Sequence, residues 1–214
     1  MQLYGYWRST AAYRVRIALA LKGLAFDAIP VHLVRGGGEQ HADQYRALNP
    51  LELVPTLVVD GRALTQSLAI VEWLDETYPS PPLLPASAWD RARAREMALL
   101  IACDIHPVNN LRVLNYLAGP LGADEARKLA WYRHWVEVGL RALETMLARD
   151  GRSGPYCIGD APTLADICLV PQLYNARRFG VDLTPFPALL AVDAACAALD
   201  AFRQAAPAAQ PDAE

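Results

Sequence analysis

Two hydroxyl side chains lie where the sequence predicts that the first strand gives way to the first helix. Ser9 and Thr10 follow a short β-like run and precede a long stretch rich in Ala and Leu. The first four backbone N–H groups of a helix have no acceptor within the helix, and a hydroxyl can cap them. Together with the positive end of the helix dipole, the same groups can stabilise an anion such as a thiolate or a carboxylate.

Three arginines crowd this junction, namely Arg8, Arg14 and Arg16. Acidic residues are normally favoured at a helix start, because its dipole already carries positive charge there. The sequence leaves two interpretations open. Either an anion binds here with arginine nearby for a second negative group, or Ser9 is a plain cap and the arginines lie on the solvent face or pair with acids such as Asp27.

A second junction of the same kind occurs at residues 65–67. Gln66 offers both donors and an acceptor, which suits an amino-acid headgroup, although the pattern alone is also that of an ordinary helix cap. Shortly before it, Val54 precedes Pro55 at the entrance of a predicted strand. A cis bond there would present the backbone of Val54, but X–Pro bonds are cis in only about 5–6% of folded cases, so the residues alone do not establish it.

The cysteines predict packed thiols rather than a metal site or disulfides. Cys103, Cys157, Cys168 and Cys196 show no CxxC pairing and no regular spacing. Residues 103–106 resemble half of a metal site, but no second cluster supplies the remaining ligands. We therefore expect no bound metal.

Composition excludes several classes of protein. The 214 residues are 53% hydrophobic and 20% charged, with a formal net charge of −3. Such a chain has enough core formers to fold, and it lacks the basic surface that nucleic-acid binding needs. No apolar run approaches the roughly 18 residues of a membrane span, and the first residues do not have the profile of a secretory signal. We therefore expect a soluble, cytoplasmic protein with no nucleic-acid or membrane partner.

The elements around these junctions divide into an α/β part and a helical part. A Pro-rich run at 79–85 separates them, and it predicts a first domain at 1–80, a linker at 81–86 and an all-helical domain at 87–214. Thr163 and Asp166 have the spacing of a capping box. The run 207–214 is expected to be frayed or laid on the surface. Predicted strands are 3–7, 26–31, 56–60 and 62–65, and predicted helices are 12–22, 43–48, 67–77, 89–117, 123–149, 164–179 and 187–206.

Several segments resemble zeta-class glutathione transferases of the maleylacetoacetate and maleylpyruvate isomerase type. Each segment is weakly specific by itself, but their order and spacing over nearly the whole chain are highly specific. The segments are 7–19, 47–50, 54–57, 66–70, 169–172 and 181–185.

This resemblance implies a thioredoxin-like α/β N-terminal domain, an all-α C-terminal domain, a homodimer, and glutathione as cosubstrate. It implies that Ser9 faces the glutathione sulfur, with Thr10 and Ala11 at the helix start. Four more residues would hold the tripeptide: Gln66 and Ser67 its γ-glutamyl group, Val54 before a cis-Pro55 its cysteinyl part, and Gln40 its glycyl end.

The resemblance also assigns residues to the substrate side of the site. Asp104, His106, Asn109 and Asn110 match positions that line the site in the family. Arg178 matches an arginine for a substrate carboxylate, and Arg8 and Arg112 are candidates of the same kind. The residues implied in catalysis are Ser9, Thr10, Arg8 and Arg178.

The chain departs from the family pattern at two places. Ala11 stands where the family commonly has cysteine, so any reactive sulfur must come from glutathione. Leu111 stands where maleylpyruvate-type relatives carry the first of two arginines, and only the second, Arg112, is present. This second departure leaves the choice of substrate open.

The implied reaction is cis–trans isomerisation of a maleyl dicarboxylate: a thiolate adds to the double bond, the resulting single bond rotates, and the thiolate leaves. Ser9 and the helix N-terminus would keep the thiol ionised, and Tyr4 and Tyr6 are alternative activators. Two other functions stay open. One is a general glutathione transferase or peroxidase acting on small electrophiles or haloacids, and the other is a glutathione-fold binding module without turnover.

Overall fold

The computed structural model describes residues 1–149 and 154–214. These residues form two compact units, one made of residues 1–83 together with 197–214 and the other of residues 84–196. The division differs from the predicted boundary, because residues 197–214 pack with the first unit rather than with the helices that precede them. Contacts distant in sequence decide this placement, and a local pattern does not contain them.

The first unit is built on a four-stranded sheet of order β2-β1-β3-β4. Strand β1 pairs in parallel with β2 and antiparallel with β3, which in turn pairs antiparallel with β4. The predicted element order β-α-β-α-β-β-α and the thioredoxin-like arrangement are confirmed. The bounds are β1 Gln2–Gly5, α1 Thr10–Leu21, β2 Asp27–Pro30, α2 Asp43–Leu48, β3 Thr56–Val59, β4 Arg62–Thr65 and α3 Ser67–Thr77.

Local chemistry explains the sharp connections of this sheet. Asp60 and Gly61 between β3 and β4 both have positive φ, of 49° and 75°. That is the requirement of a tight two-residue hairpin turn, and the Asp-Gly pair meets it. Leu3 of β1 lies opposite Leu57 of β3, and both are buried. Helix α1, which follows β1, has ten buried residues.

A buried ammonium group ties the end of α1 to the chain that leaves α3. The Nζ atom of Lys22 donates to Asp75 Oδ1, to the carbonyl of Tyr78 and to the carbonyl of Pro81, each at 2.6 Å. The same Asp75 oxygen accepts the N–H of Leu83 at 2.8 Å. The side chain of Lys22 has no exposed surface, so this ion pair fixes the start of the Pro-rich run.

The second unit is helical, and its first helix is interrupted. The sequence predicts one helix over 89–117, which is wrong: the structure has two α-helices separated by a π-helical turn at 100–105 and a 3₁₀ turn at 107–109. Pro107 cannot donate an N–H to continue the helix, and Asn110 restarts it by accepting the N–H of Arg112 at 3.1 Å. The bounds are α4 Ala88–Leu99, α5 Leu111–Ala118, α6 Glu125–Arg149, α7 Leu164–Arg178 and α8 Pro187–Ala197.

The segment 197–214 carries a short helix, α9, Asp200–Ala205. The single helix predicted over 187–206 is therefore also wrong, since α8 and α9 are separate. Phe202 and Ala205 are 2% and 3% exposed, and the hydroxyl of Tyr13 on α1 donates to the carbonyl of Phe202 at 3.2 Å. The end of the chain is thus anchored at α9, and Pro207 just beyond it is also buried.

The capping box at the start of α7 is confirmed. Thr163 Oγ1 accepts the N–H of Ala165, while Asp166 Oδ2 accepts the N–H of Thr163 at 2.7 Å and its hydroxyl at 2.9 Å. The other carboxylate oxygen accepts the N–H of Cys157 at 2.8 Å. Burial raises the pKa of Asp166 above its ordinary value, and these hydrogen bonds oppose the rise. None of the helices that the structure describes is long and apolar enough to span a bilayer.

Replacing the buried cap, Asp166→Asn, is expected to lower the free energy of unfolding by about 3 kcal/mol, because the new amide turns N–H groups toward buried donors. That is more than the about 1 kcal/mol of a typical cap. Urea denaturation measures this change in the free energy of unfolding. Asp182→Asn is the control, since Asp182 accepts the same two groups from Thr184 but is exposed, and its midpoint should stay near the parent. Equal midpoints for the two variants would contradict the prediction.

Candidate active site

The turn from Tyr6 to Ser9 delivers the chain from β1 into α1. The N–H of Ser9 donates to the carbonyl of Tyr6 at 2.9 Å, and Ser9 Oγ accepts the N–H of Ala12 at 3.2 Å. Ser9 is therefore the cap of α1, and it is half-buried. No acidic residue lies in the first turn of this helix, so its positive end favours an incoming anion.

The arginines at this junction are mostly buried. Arg14 and Arg16 are 2% and 5% exposed, so the interpretation that they lie on the solvent face is wrong. Among the described residues, no ion pair joins either arginine to the exposed Asp27. Arg14 Nη1 donates to Ser67 Oγ at 3.2 Å. Arg16 donates from Nε to the carbonyl of Ala205 at 2.9 Å and from Nη2 to the carbonyl of Trp7 at 3.0 Å.

Arg8 and Tyr6 form a contact of their own beside the turn. Arg8 donates from Nε and Nη2 to the hydroxyl of Tyr6, at 3.1 and 2.7 Å, and its guanidinium carbon lies 4.9 Å from the ring centroid of Trp7. Tyr6 is 4% exposed and packs against Val31 and Val54. Because Tyr6 is almost fully buried whereas Ser9 is half-buried at the helix start, Tyr6 is a weaker candidate than Ser9 for stabilising a bound thiolate.

The second junction lies at the start of α3. Gln66 has a positive φ of 69°, its side chain does not cap the helix, and the residue is exposed. Ser67 is 7% exposed. Since Arg14 donates to the Ser67 oxygen, the hydroxyl proton of Ser67 is directed elsewhere and can be donated to an anion. A buried guanidinium thus stands behind a helix N-terminus, which favours a carboxylate in front of it.

The loop before β3 presents the backbone of Val54. The Val54–Pro55 bond is cis, and Val54 precedes the hydrogen-bonded register that begins at Thr56. The carbonyl of Leu53 accepts the hydroxyl of Tyr45 and the side-chain amide of Asn49, each at 2.6 Å. Burial raises the pKa of Tyr45, so this hydroxyl keeps its proton and continues to donate. The loop is held firmly without using the peptide groups of Val54.

Gln40, in the segment between β2 and α2, is placed as a ligand-binding residue would be. It is 6% exposed, and its Oε1 is buried with no hydrogen-bond partner. Its amide nitrogen donates to the carbonyl of Leu33 at 3.4 Å. Gly38 has a positive φ of 105°, and a Cβ there would lie 2.4 Å from the Gln40 amide nitrogen. Glycine at 38 therefore makes room for Gln40, whose oxygen is left for a donor on a ligand.

In the second unit, the predicted site residues cluster where α4 gives way to α5. Asp104 is exposed in the π-helical turn and His106 ends it, half-buried. Asn109 is 8% exposed; its amide donates to the carbonyl of Tyr132 at 3.3 Å, and its Oδ1 is buried with no partner. Asn110, by contrast, is the cap of α5. A π-helical turn in this position agrees with a functional role, because such turns are frequent at functional sites.

Arg178 ends α7 with its guanidinium exposed. It donates to Asn175 Oδ1 at 3.4 Å and lies 4.8 Å from the ring centroid of Phe179. Among the residues that the structure describes, no carboxylate pairs with it, whereas its neighbour Arg177 is paired with Asp193 at 2.6 Å. Arg178 therefore offers a free positive charge. Arg112 on α5 is likewise exposed.

The cysteines play no part in these arrangements. Cys157, Cys168 and Cys196 are buried free thiols and Cys103 is an exposed one. Burial raises the pKa of Cys196 above its ordinary value, so this thiol stays protonated. Within 1–149 and 154–214, no three His, Cys, Asp or Glu side chains are grouped in a way that could hold a metal ion.

Two features of the site were not predicted from the sequence. The contact of Arg14 with Ser67 joins residues on two different helices. The sequence showed only a basic residue near the start of a helix whose first turn lacks acids. The close packing of Gly38 on Gln40 was signalled by the run of three glycines at 36–38, but their conformation could not be read from composition.

Comparison with protein families matches both parts of the chain. Residues 3–82 match the family described as glutathione S-transferase, N-terminal domain. Residues 130–208 match the glutathione S-transferase C-terminal domain.

Individual relatives are similar along their whole length. The maleylpyruvate isomerase of a Ralstonia species is 55% identical over 213 residues, which are 99% of each chain. The holo structure of a zeta-class bacterial maleylpyruvate isomerase superimposes with a TM-score of 0.97 at 54% identity, covering 100% of both chains. The maleylacetoacetate isomerase of Methylobacterium extorquens AM1, crystallised with malonate and glutathione, gives a TM-score of 0.96 at 41% identity over 100% of both chains.

Proposed function

Because the chain belongs to the glutathione S-transferase family, we propose that it is a glutathione-dependent cis–trans isomerase acting on a maleyl diketo acid. The substrate is maleylpyruvate or maleylacetoacetate, and the product is its fumaryl isomer. One observation carries the proposal: Ser9 caps a helix whose first turn has no acid, which is an arrangement that stabilises a thiolate. Relatives of 41% to 55% identity that carry these isomerase names support it.

The first unit suits glutathione part by part. Ser67, with Arg14 behind it, suits the α-carboxylate of the γ-glutamyl group, and Gln66 suits the amino group beside it. The peptide groups of Val54 before Pro55 suit the cysteinyl part. The unpartnered oxygen of Gln40 suits the N–H of the glycyl end. The γ-glutamyl, cysteinyl and glycyl parts of the tripeptide thus each have a proposed partner, and Thr10 and Ala11 complete the helix start at the sulfur.

Bound glutathione supplies a thiolate that adds reversibly to the maleyl double bond, so that the bond can rotate. The protein's own task is to keep that sulfur ionised, since a free thiol of this type has a pKa near about 8.5. A hydrogen bond from the Ser9 hydroxyl and the N-terminus of α1 both favour the anion. Ala11 leaves no protein thiol to compete at this position.

The substrate carries two carboxylates, and the proposal assigns arginines to them. Arg178 is the main candidate because it is exposed and has no carboxylate partner among the described residues. Arg8 and Arg112 are the further candidates, and Asp104, His106, Asn109 and Asn110 are proposed to line the same site. The malonate in the Methylobacterium extorquens structure is a small dicarboxylate of the same chemical class.

Two other functions remain as alternatives, and the homodimer and the cytoplasmic location stay predictions. A general transferase or peroxidase would use the same thiolate on small electrophiles or haloacids, but it would consume glutathione in proportion to product. A binding module would hold glutathione without turnover.

The isomerase proposal predicts that purified protein converts maleylpyruvate or maleylacetoacetate only when glutathione is present, and that glutathione is not consumed. The two substrates are assayed side by side with and without the tripeptide, while free thiol is titrated over many turnovers. Conversion at the same rate without glutathione would contradict the proposal. Loss of one thiol per product would establish the transferase alternative instead.

The Ser9→Ala variant is expected to raise the pKa of the bound glutathione thiol and to lower kcat at neutral pH on the order of a hundredfold, as when a donor to a reacting anion is lost. The pH profile of kcat should move to higher pH, since the thiol ionises later. Thiolate absorbance as a function of pH gives the pKa directly.

Ser87→Ala is the matched control, because Ser87 caps α4 in the same way by accepting the N–H of Asp90. Each variant should cost about 1 kcal/mol of stability as a lost cap, yet only Ser9→Ala should change the thiol. An unchanged thiol pKa in Ser9→Ala would remove Ser9 from the mechanism.

The Arg178→Ala variant should raise KM for the dicarboxylate about tenfold, as expected for a lost charged hydrogen bond, and leave the affinity for glutathione unchanged. Arg177→Ala is the control, because that neighbouring arginine is paired with Asp193. Steady-state kinetics and glutathione titration measure both effects. Identical kinetics in the two variants would show that Arg178 does not bind the substrate.

A further inference from the structure

The backbone of Trp7 is held by groups far away in the sequence. Its N–H donates to Asp212 Oδ2 at 3.0 Å, and its carbonyl accepts from Arg16 Nη2 at 3.0 Å. Trp7 lies beyond the end of β1, so no sheet hydrogen bond fixes it. A hydrogen bond from a backbone N–H to a carboxylate is roughly twice as strong as one between neutral groups. The carboxylate of Asp212 therefore fixes the orientation of the Trp7 peptide group.

Trp7 lies inside the turn that presents Ser9. The turn is closed by the N–H of Ser9 donating to the carbonyl of Tyr6, and Trp7 is one of the two residues between them. A rotation of the Tyr6–Trp7 peptide would therefore displace Ser9 Oγ relative to the Ala12 N–H that it caps. The hydrogen bonds that fix the Trp7 peptide therefore also fix the position of the Ser9 hydroxyl.

The segment that carries Asp212 is itself well anchored. Arg16 joins the carbonyl of Ala205 on α9 to the carbonyl of Trp7 through one guanidinium. Beyond Asp212, Glu214 pairs with Arg35 at 2.6 Å and approaches His32 Nε2 at 3.4 Å. Asp212 is consequently placed between two attachments rather than on a loose end.

We infer that Asp212 is a positioning residue for the proposed thiolate site, acting through Trp7 on the orientation of Ser9. This inference rests on the proposed function. Its carboxylate accepts the N–H of Trp7, and its charge has the wrong sign to stabilise a thiolate. Any benefit to the thiolate must therefore come from geometry, which makes charge and position separable by experiment.

Three variants separate the effect of the charge of Asp212 from the effect of the position it gives to Trp7. Asp212→Ala removes both the acceptor and the charge; Asp212→Asn keeps an acceptor of the same shape and removes only the charge. Asp200→Ala is the matched control, because Asp200 lies in the same segment, is exposed, and contacts only Arg203 of its own helix in the described structure. Each variant is studied as the full chain by thermal denaturation, by glutathione titration and by the pH dependence of kcat and of thiolate absorbance.

Positioning predicts that Asp212→Ala lowers kcat about tenfold and moves the thiol titration to higher pH, since small misplacements of a reacting group are costly. Asp212→Asn should stay close to the parent. If charge alone mattered, both variants would move the titration to lower pH, and this would overturn the inference. A melting temperature lowered in Asp212→Ala with kcat and the titration equal to those of Asp200→Ala would also overturn it.

A readout without glutathione keeps this test apart from the proposed function. In the free protein, Asp212→Ala should reduce the protection of the Trp7 amide against hydrogen exchange at least tenfold, whereas Asp200→Ala should not. Unchanged protection would show that the Asp212 carboxylate does not fix the Trp7 amide. If the parent protein shows neither a thiolate signal nor isomerisation, the proposed function fails even when the Trp7 protection behaves as expected, and the catalytic part of the inference fails with it.

Discussion

The proposed chemistry depends on the uncompensated positive end of helix α1. Ser9 caps this helix, no acid lies in its first turn, and the nearest basic residues are drawn inward. An anion that arrives there meets a helix dipole and a hydroxyl at once. Helices α3 and α9 pack against α1 and hold this helix start in place.

The buried arginines show how one helix can serve two purposes. Arg14 points to Ser67 at the start of α3, and Arg16 points to Trp7 and α9. Arg16 meets two carbonyl oxygens, and Arg14 donates from Nη1 to the Ser67 hydroxyl, so each buried guanidinium has an oxygen acceptor. Replacing Arg16 by lysine would keep the charge but lose the fixed fork of donors that reaches two acceptors at once.

Prediction from the sequence succeeded where a short pattern decides the structure. The order of elements in the first unit, the cap at Ser9, the capping box at Asp166 and the hairpin at Asp60 and Gly61 all follow from neighbouring residues. The roles implied for Gln40 and Val54 came from family resemblance, and the structure adds an unpartnered oxygen and a cis bond to them.

Most of the failures have their physical origin in contacts that are distant in sequence. The break of the predicted 89–117 helix had a local signal in Pro107, and in its π-helical turn Ile105 also packs so near α6 that a Cβ at Gly139 would lie 2.2 Å from its side chain. The placement of 197–214 needs Tyr13, Arg16 and Trp7 as partners. The burial of Arg14 and Arg16 needs the same packing, and no count of charges near a helix start reveals it.

The division of the first unit into 1–83 and 197–214 has a consequence for synthesis. A ribosome makes the chain from one end, so the whole helical unit is produced before α9 and Asp212 become available. Until then, the face of α1 that packs with α9 stays uncovered, and the amide of Trp7 lacks its carboxylate. The first unit, whose synthesis begins first, is therefore completed last. A chain released at the Pro-rich run would lack α9, and the face of α1 that packs with α9 would stay uncovered.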